Sequence, residues 1–164
     1  MKYQLGQLNI ALMKHPLDAP EMADFVNNLD RINTLAESAP GFIWRLQTDE
    51  GDATALRPFG DQTLVNMSVW KDLKSLRDYV YRSAHVEIMK RRKEWFQLMS
   101  RAYQVLWWVP QGHRPSIEEA RIKLEHLRQH GPSQGAFTFS KAFPPPDAEG
   151  ACSPLAFPDR CPAS

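Results

Sequence analysis

Apolar and polar residues alternate over residues 4–12, where Leu8, Ile10 and Leu12 are separated from one another by Asn9 and Ala11 and preceded by Gln7. That period of two predicts a strand. The period then lengthens: Met22, Phe25, Val26, Leu29, Ile32 and Ala36 form one helical stripe,. Asp18 is the expected N-cap, with Pro20 in the first turn and Glu21 three residues on,. Pro40-Gly41 ends this helix and opens a second strand over 42–48, and a long Asp-, Gly- and Thr-rich connection follows to residue 62,. A third strand over 64–70 places Val65, Met67 and Val69 on one face and Asn66, Ser68 and Trp70 on the other,. Asp72 caps a second helical region reaching about residue 100, with a break allowed near Ser83. Its expected core residues are Leu73, Leu76, Tyr79, Val80, Ile88, Met89, Trp95, Phe96 and Met99. A fourth strand spans 103–109. Ser116 and Glu119 then form a capping box for a helix with Ile117, Ala120, Leu124 and Leu127 as its stripe,. Gly131-Pro132 stops it, and a short strand is expected over 136–139,.

The order β-α-β-β-α-β predicts an α+β, ferredoxin-like antiparallel sheet followed by an extra C-terminal helix. Helices should cover one sheet face. The opposite face should show Gln7, Asn9, Asn66, Ser68, Trp70 and either Trp44 or Arg45. A face so rich in polar and aromatic groups needs a cover, either a second subunit or a ligand cavity, and the two are compatible. A homodimer with sheets facing each other is therefore expected. Residues 1–146 form the single domain. Pro144-Pro145-Pro146 marks its end, seven of the 13 prolines lie from Pro132 onward, and 147–164 reads as a flexible, dispensable tail,.

Composition narrows the classes. A chain of 164 residues that is 43% apolar and 24% charged can bury one real core,. A formal charge of +1 argues against nucleic acid or an acidic membrane as an obligatory partner,. The basic cluster Lys90-Arg91-Arg92-Lys93 reads as a solvated helix side,. The amino terminus has no signal-type apolar region, and no run approaches the ~20 apolar residues of a membrane span. The two cysteines, Cys152 and Cys161, both fall in the tail, so neither a disulfide framework nor a multi-Cys zinc site is expected,. A soluble, cytoplasmic protein is the expectation.

Chemistry concentrates in Asp78-Tyr79-Val80-Tyr81-Arg82-Ser83-Ala84-His85-Val86. An imidazole titrating near neutrality beside phenols titrating near ~10 can move a proton on a phenol or enol. On a helix Tyr81 lies one turn from His85, and Tyr79 nearly two. The plainer alternative is a half-buried histidine satisfied by a backbone carbonyl beside two core tyrosines. His113, in Gly112-His113-Arg114-Pro115, either covers a cavity mouth or sits in a surface turn. Trp107 and Trp108 point to opposite faces, so at most one reaches a cavity. His15, His126 and His130 read as surface residues. His126 and His130 are one turn apart without a third ligand, and no metal site is expected. Phosphate-cradling glycine loops, dinucleotide fingerprints and nucleophile elbows are not found.

At the level of motifs, the element order, Val69-Trp70 ending the third strand and a histidine in the following helix resemble the antibiotic-biosynthesis-monooxygenase-like superfamily of dimeric α+β barrels. More closely, Gln7-Leu8-Asn9-Ile10-Ala11, Asn28-Leu29-Asp30-Arg31-Ile32-Asn33, Pro40-Gly41-Phe42-Ile43-Trp44-Arg45-Leu46, Tyr81-Arg82-Ser83-Ala84-His85 and Trp107-Trp108-Val109-Pro110 resemble a bacterial branch that is a domain family of unknown function. That likeness runs over roughly 4–146. It implies a homodimer acting on a small aromatic, enolisable or polyketide-like molecule without a cofactor, as a monooxygenase, cyclase or isomerase. Tyr79 and His85 are similar to the tyrosine and histidine of the plant olivetolic acid cyclase, which would make His85 the general base and Tyr79, with Tyr81 nearby, its partner. Cofactor-free monooxygenases of this fold use Asn, Trp and Arg on a phenolate, roles that Asn9 or Asn66, Trp70 and Arg45 would fill. Trp44, Arg82 and His113 complete the expected binding set. Haem degradation would need an axial histidine where Met89 stands and a tryptophan where Tyr79 stands; only Asn9 fits, so haem binding is a lesser alternative. Two non-enzymatic readings stand beside these: a dimer that binds a small ligand without reacting it, and a purely structural dimer. An enclosed pocket reached by His85 favours the enzyme and the binder over the structural dimer, and contact of His85 with that cavity and with Tyr79 or Tyr81 favours the enzyme over the binder.

Overall fold

The computed structural model describes residues 2–82, 85–148 and 153–155, with His85 described in its backbone alone. Strands β1 (Tyr3–Leu12), β2 (Phe42–Arg45), β3 (Thr63–Trp70) and β4 (Gln104–Pro110) form an antiparallel sheet in the order β2-β3-β1-β4. The described helices are α1 (Ala23–Ser38), α2 (Leu73–Arg82), α3 (His85–Lys90), α4 (Arg92–Trp95) and α5 (Ile117–His130). This is the expected α+β, ferredoxin-like arrangement, with α5 as the added C-terminal helix.

Local chemistry explains most boundaries. Asp72 Oδ1 accepts from the Ser75 N–H at 2.8 Å and from its hydroxyl at 2.7 Å, which caps α2,. Ser116 Oγ accepts from the Glu119 N–H at 3.0 Å and caps α5. Gly131 closes α5 at φ 73°, a left-handed conformation that glycine adopts without strain,. Three expectations need correction. Asp18 caps nothing: a 3-10 turn over Pro20–Met22 leads into α1 from Ala19, with no side-chain cap. The helical run after β3 stops at Trp95, where Phe96 turns extended and bridges Met13, so it does not reach residue 100. The strand expected over 136–139 is reduced to isolated bridges: Ala136 pairs with Ser133, and Phe137 exchanges both backbone hydrogen bonds with Leu106 at 2.8 Å. The bridge to Leu106 protects the outer edge of β4.

Both sheet faces are covered within one chain. On the first, Leu8, Ile10, Val65, Met67, Val69, Val105, Trp107 and Val109 are buried against Ala120, Leu124 and Leu127 of α5. Gly6 lies under the Trp107 indole, where a Cβ would come within 3.0 Å of the ring. On the second, Leu5, Trp70 and Leu106 meet Leu73, Leu76 and Tyr79 of α2 and the aromatic segment Phe137, Phe139 and Phe143. The polar, Trp-bearing face is thus the one that α1 and α2 cover, which corrects the expected division of faces. The stripe of α5 required an apolar partner and takes the Val/Met/Leu face. The expected reason for a sheet-to-sheet dimer, an uncovered Trp-bearing face, is therefore not present in this chain. The described part of the tail is also attached: the Leu155 N–H donates to the Ala142 carbonyl at 2.5 Å, and its side chain packs on the second cluster.

Candidate functional site

The inner stripe of α1 faces a sheet surface that carries amides and a hydroxyl, so it cannot seal against it as one apolar layer would. No residue of α1 is buried. Beneath it lie two adjoining cavities of about 160 and 80 Å³. They share Asn9, Asn33, Arg45, Asn66, Met89 and Arg92 among their walls. Phe25, Leu29, Ile32, Ile88, Trp95 and Phe96 give the larger one an apolar end, while Trp70, Tyr79, Tyr81 and Phe139 line the smaller. Residues Asp52, Ala53 and Thr54 of the 48–62 connection close one side.

A β-bulge decides which β2 residue enters. Phe42 pairs with Trp70 and Arg45 with Ser68, whereas Trp44 pairs with Val69 across an irregularity between Phe42 and Trp44. The extra residue puts Phe42 and Arg45 on the cavity face together and sends Trp44 into the cluster under α5,. Arg45 is held by Glu37 at 2.7 Å and by the Gly51 carbonyl at 2.6 Å.

The floor is a hydrogen-bonded chain. Gln7, only 6% exposed, donates from Nε2 to Asn66 Oδ1 at 2.7 Å and to Ser68 Oγ at 3.1 Å. Trp70 Nε1 donates to the same hydroxyl at 2.9 Å. Two groups stand outside this chain. Asn9 Oδ1 is buried and has no hydrogen-bond partner. Arg92 stacks its guanidinium 4.4 Å from the Tyr103 ring centre and makes no hydrogen bond or ion pair with a described residue.

Of the residues expected from sequence, Asn9, Arg45, Asn66, Trp70, Tyr79 and Tyr81 are brought together at these walls. Tyr79 stacks on Trp70 with ring centres 5.1 Å apart and donates its hydroxyl to the Ile32 carbonyl at 3.2 Å. Burial pushes its phenol up to about 12, so at neutral pH it is a hydrogen-bond donor and not a base,. Arg82 lies on the surface, 78% exposed and 3.6 Å from Asp78. His113 is on the α5 side, away from both cavities: its Nε2 lies 2.7 Å from Glu119 Oε2, while Glu119 Oε1 accepts from Trp107 Nε1 at 3.0 Å. His85 begins α3, and its side chain lies outside the described residues, as do Ser83 and Ala84. Trp107 and Trp108 do take opposite faces, and neither is among the cavity-lining residues.

Sequence reading missed Asn28, Asn33 and Arg92. The two asparagines sit at inward positions of α1, between Phe25, Leu29 and Ile32, where an ordinary core helix would carry more apolar residues,. Arg92 was hidden within a run of four cations. As to cofactors, Met89 lines the space where haem would need its axial ligand, yet both volumes fall below the ~300–1,000 Å³ of drug-sized sites, so these residues do not fit a macrocycle,. Among the described residues no three His, Cys, Asp or Glu converge on a metal position, and His126 and His130 are an exposed pair with ring centres 4.7 Å apart. Nor is any described helix long and apolar enough to cross a membrane.

Fold and site together define a ferredoxin-like α+β protein with a ligand-sized space between its sheet and its helices. The chain belongs to a domain family of unknown function (DUF3291), whose profile matches residues 4–152. No curated protein matches the sequence. Among solved structures it is similar to SnoaB, a cofactor-independent oxygenase from Streptomyces nogalater, at 13% identity and a TM-score of 0.45, over 70% of this chain and 96% of that one. It is also similar to NE2512, a protein of unknown function from Nitrosomonas europaea (12%, 0.44, 70% and 94%). A dabb family protein with a ferredoxin-like fold from Mesorhizobium loti shows 15% identity and a TM-score of 0.42, over 66% and 99% of the two chains.

Proposed function

We propose that this protein binds a small phenolic or enolisable molecule in the space between α1 and the polar sheet face, and turns it over by cofactor-free acid–base chemistry of the monooxygenase, cyclase or isomerase type. The observation that carries the reading is the pairing of an unburied α1 with a sheet floor of Gln7, Asn9, Asn66 and Ser68. A purely structural protein would fill that space. Residue 85 is one turn before Met89, a cavity-lining residue of α3, which supports His85 as the general base,. Among the described lining residues no imidazole or thiol is present, Tyr79 is a donor, and Asp52 Oδ1 is taken up by the Thr54 N–H and hydroxyl at 2.9 and 2.6 Å. This scarcity of other bases supports His85 as the group that takes the proton, with Asn9, Asn66 and Arg45 as the groups that would stabilise the resulting anion.

The same scarcity of bases favours one second reading, a protein that holds such a molecule without reacting it. A homodimer belongs to the proposal in either case. Its interface would lie outside the two sheet faces, and light scattering above the 18.8 kDa of one chain tests it. To test the function, one- and two-ring phenols and enols are screened for a rise in unfolding temperature, and the hits are assayed for turnover. His85→Ala should lower turnover by about 10²–10⁴ while the hit still binds. Undiminished turnover removes His85 from the reaction. A hit that binds the wild type and never reacts favours the carrier reading.

A further inference from the structure

We propose that the ligand of this cavity is an organic anion and that Arg92 binds its charged group. The inference rests on the small-molecule reading above and adds the chemistry of the ligand.

Arg91 and Arg92 are neighbours with opposite fates. Arg91 is held by Asp24 at 2.8 Å and by Glu94 at 2.8 Å, on the outside of the molecule. Arg92 turns into the wall common to both cavities and meets no carboxylate among the described residues. The other arginine of that wall, Arg45, already has Glu37. Arg92 is half-buried in that wall, and a guanidinium withdrawn in part from water gains from a counter-charge that offsets its desolvation. Tyr103 satisfies one flat face of Arg92. Its N–H edges, which can grip a carboxylate through two parallel hydrogen bonds, have no partner among the described residues,.

Asn9 lines the same two cavities and supplies the second half of the recognition. Its buried Oδ1 lacks a donor, and a ligand hydroxyl beside the carboxylate would provide one,. Size narrows the class further. An apolar cavity of about 150 Å³ holds a benzene ring. The larger cavity, about 160 Å³ with an aromatic end, therefore takes one ring, and the smaller takes a second ring or a short chain. The ligand class is a hydroxylated aromatic carboxylate of one or two rings.

The test measures dissociation constants by calorimetry for a hydroxybenzoate and a hydroxynaphthoate against their carboxamides, with neutral phenols alongside. On the wild-type protein the acids should bind about 10- to 100-fold more tightly than the amides. Arg92→Gln should abolish that ratio, Arg92→Lys should retain part of it, and Arg91→Gln should leave it unchanged, each variant being checked for its fold by circular dichroism. If acids and amides bind equally, or the ratio survives in a folded Arg92→Gln protein, the anion inference is overturned while the small-molecule reading stands. If acids, amides and phenols all fail to bind, both fall. Should Arg92→Gln not fold, Arg92→Lys decides: a ratio retained in part and lost at high salt supports the charge contact, and an undiminished ratio or salt-independent binding refutes it.

Discussion

The two faces of one sheet are put to different uses. Against α5, Leu8, Val69, Val105 and Trp107 are each at most 1% exposed and meet three buried residues of the helix. Against α1, the alternate positions of the same strands carry Gln7, Asn9, Asn66 and Ser68, and the helix above has no fully buried residue. The strand period of two makes this division possible, since a residue and its neighbour never compete for one face. The difference teaches that the added helix, the one the ferredoxin-like pattern does not require, anchors the apolar face, while α2 packs on part of the other face and α1 is left without a fully buried residue. Apolar packing fills the α5 side and the α2 end of the other face, and the α1 end carries the polar cavity floor.

The largest expected effect comes from breaking the packed side. Leu124 is fully buried between α5 and the sheet. Leu124→Ala should cost about 2–5 kcal/mol, read as a fall in the denaturation midpoint, through lost burial and the void left behind. The affinity for a cavity ligand, measured well below the new midpoint, should not change. A loss under about 1 kcal/mol would mean that α5 is only loosely attached, and the contrast between the faces would disappear.

An intermediate effect is expected where the two functions meet, at Tyr79. Its folded-state phenol stands near 12 against about 10 in an unfolded chain, raised by burial,. For a raised group the stabilisation is fully present below the unfolded value and is lost as pH rises through the folded one. Wild type should therefore lose about 2 kcal/mol more than Tyr79→Phe between pH 10 and 12. Equal losses would place the phenol in contact with water and undo the assignment of Tyr79 as a buried donor. Below pH 9 the variant should show a constant deficit of about 1 kcal/mol from the missing bond to the Ile32 carbonyl,.

Much of this division was legible in the chain. The alternation of residues 4–12 and 64–70 gave the strands and their two faces, and Asp72 and Ser116 gave two helix starts to the residue. Six expected site residues do meet at one cavity. What escaped has identifiable causes. The covering of the faces depends on where the α5 stripe docks, a tertiary choice that no local period encodes. The bulge that separates Trp44 from Arg45 is an insertion in strand pairing, and nothing in the composition of Phe42-Ile43-Trp44-Arg45 marks it. Arg92 was averaged into a basic run, because four adjacent cations on a helix point in four directions and only one meets the cavity. His113 had two readings, a cover for a cavity mouth or a surface turn, because Gly112 and Pro115 fix a turn without saying where it lies; Glu119 holds the imidazole on the α5 side, away from the cavities.

The smallest expected effect is the sharpest test of the contrast, because its sign is unusual. Exchanging a polar residue for leucine inside a protein ordinarily destabilises when a bonded partner is stranded. Asn9 strands no one: its Oδ1 is buried without a donor, and its side chain makes no hydrogen bond with a described residue. Asn9→Leu removes an unpaired acceptor, keeps the branched shape and heavy-atom count, and adds apolar surface to a cavity wall that Ile32 also lines. Ligand-free stability should stay within about 0.5 kcal/mol of wild type or rise by up to about 1 kcal/mol, measured by urea denaturation. Affinity for a hydroxylated ligand should fall in the same protein, so stability and binding move apart. A destabilisation beyond about 1 kcal/mol would show that Asn9 holds a structural partner after all. The polar face would then be part of the scaffold, and the separation of packed side from chemical side would not hold at β1.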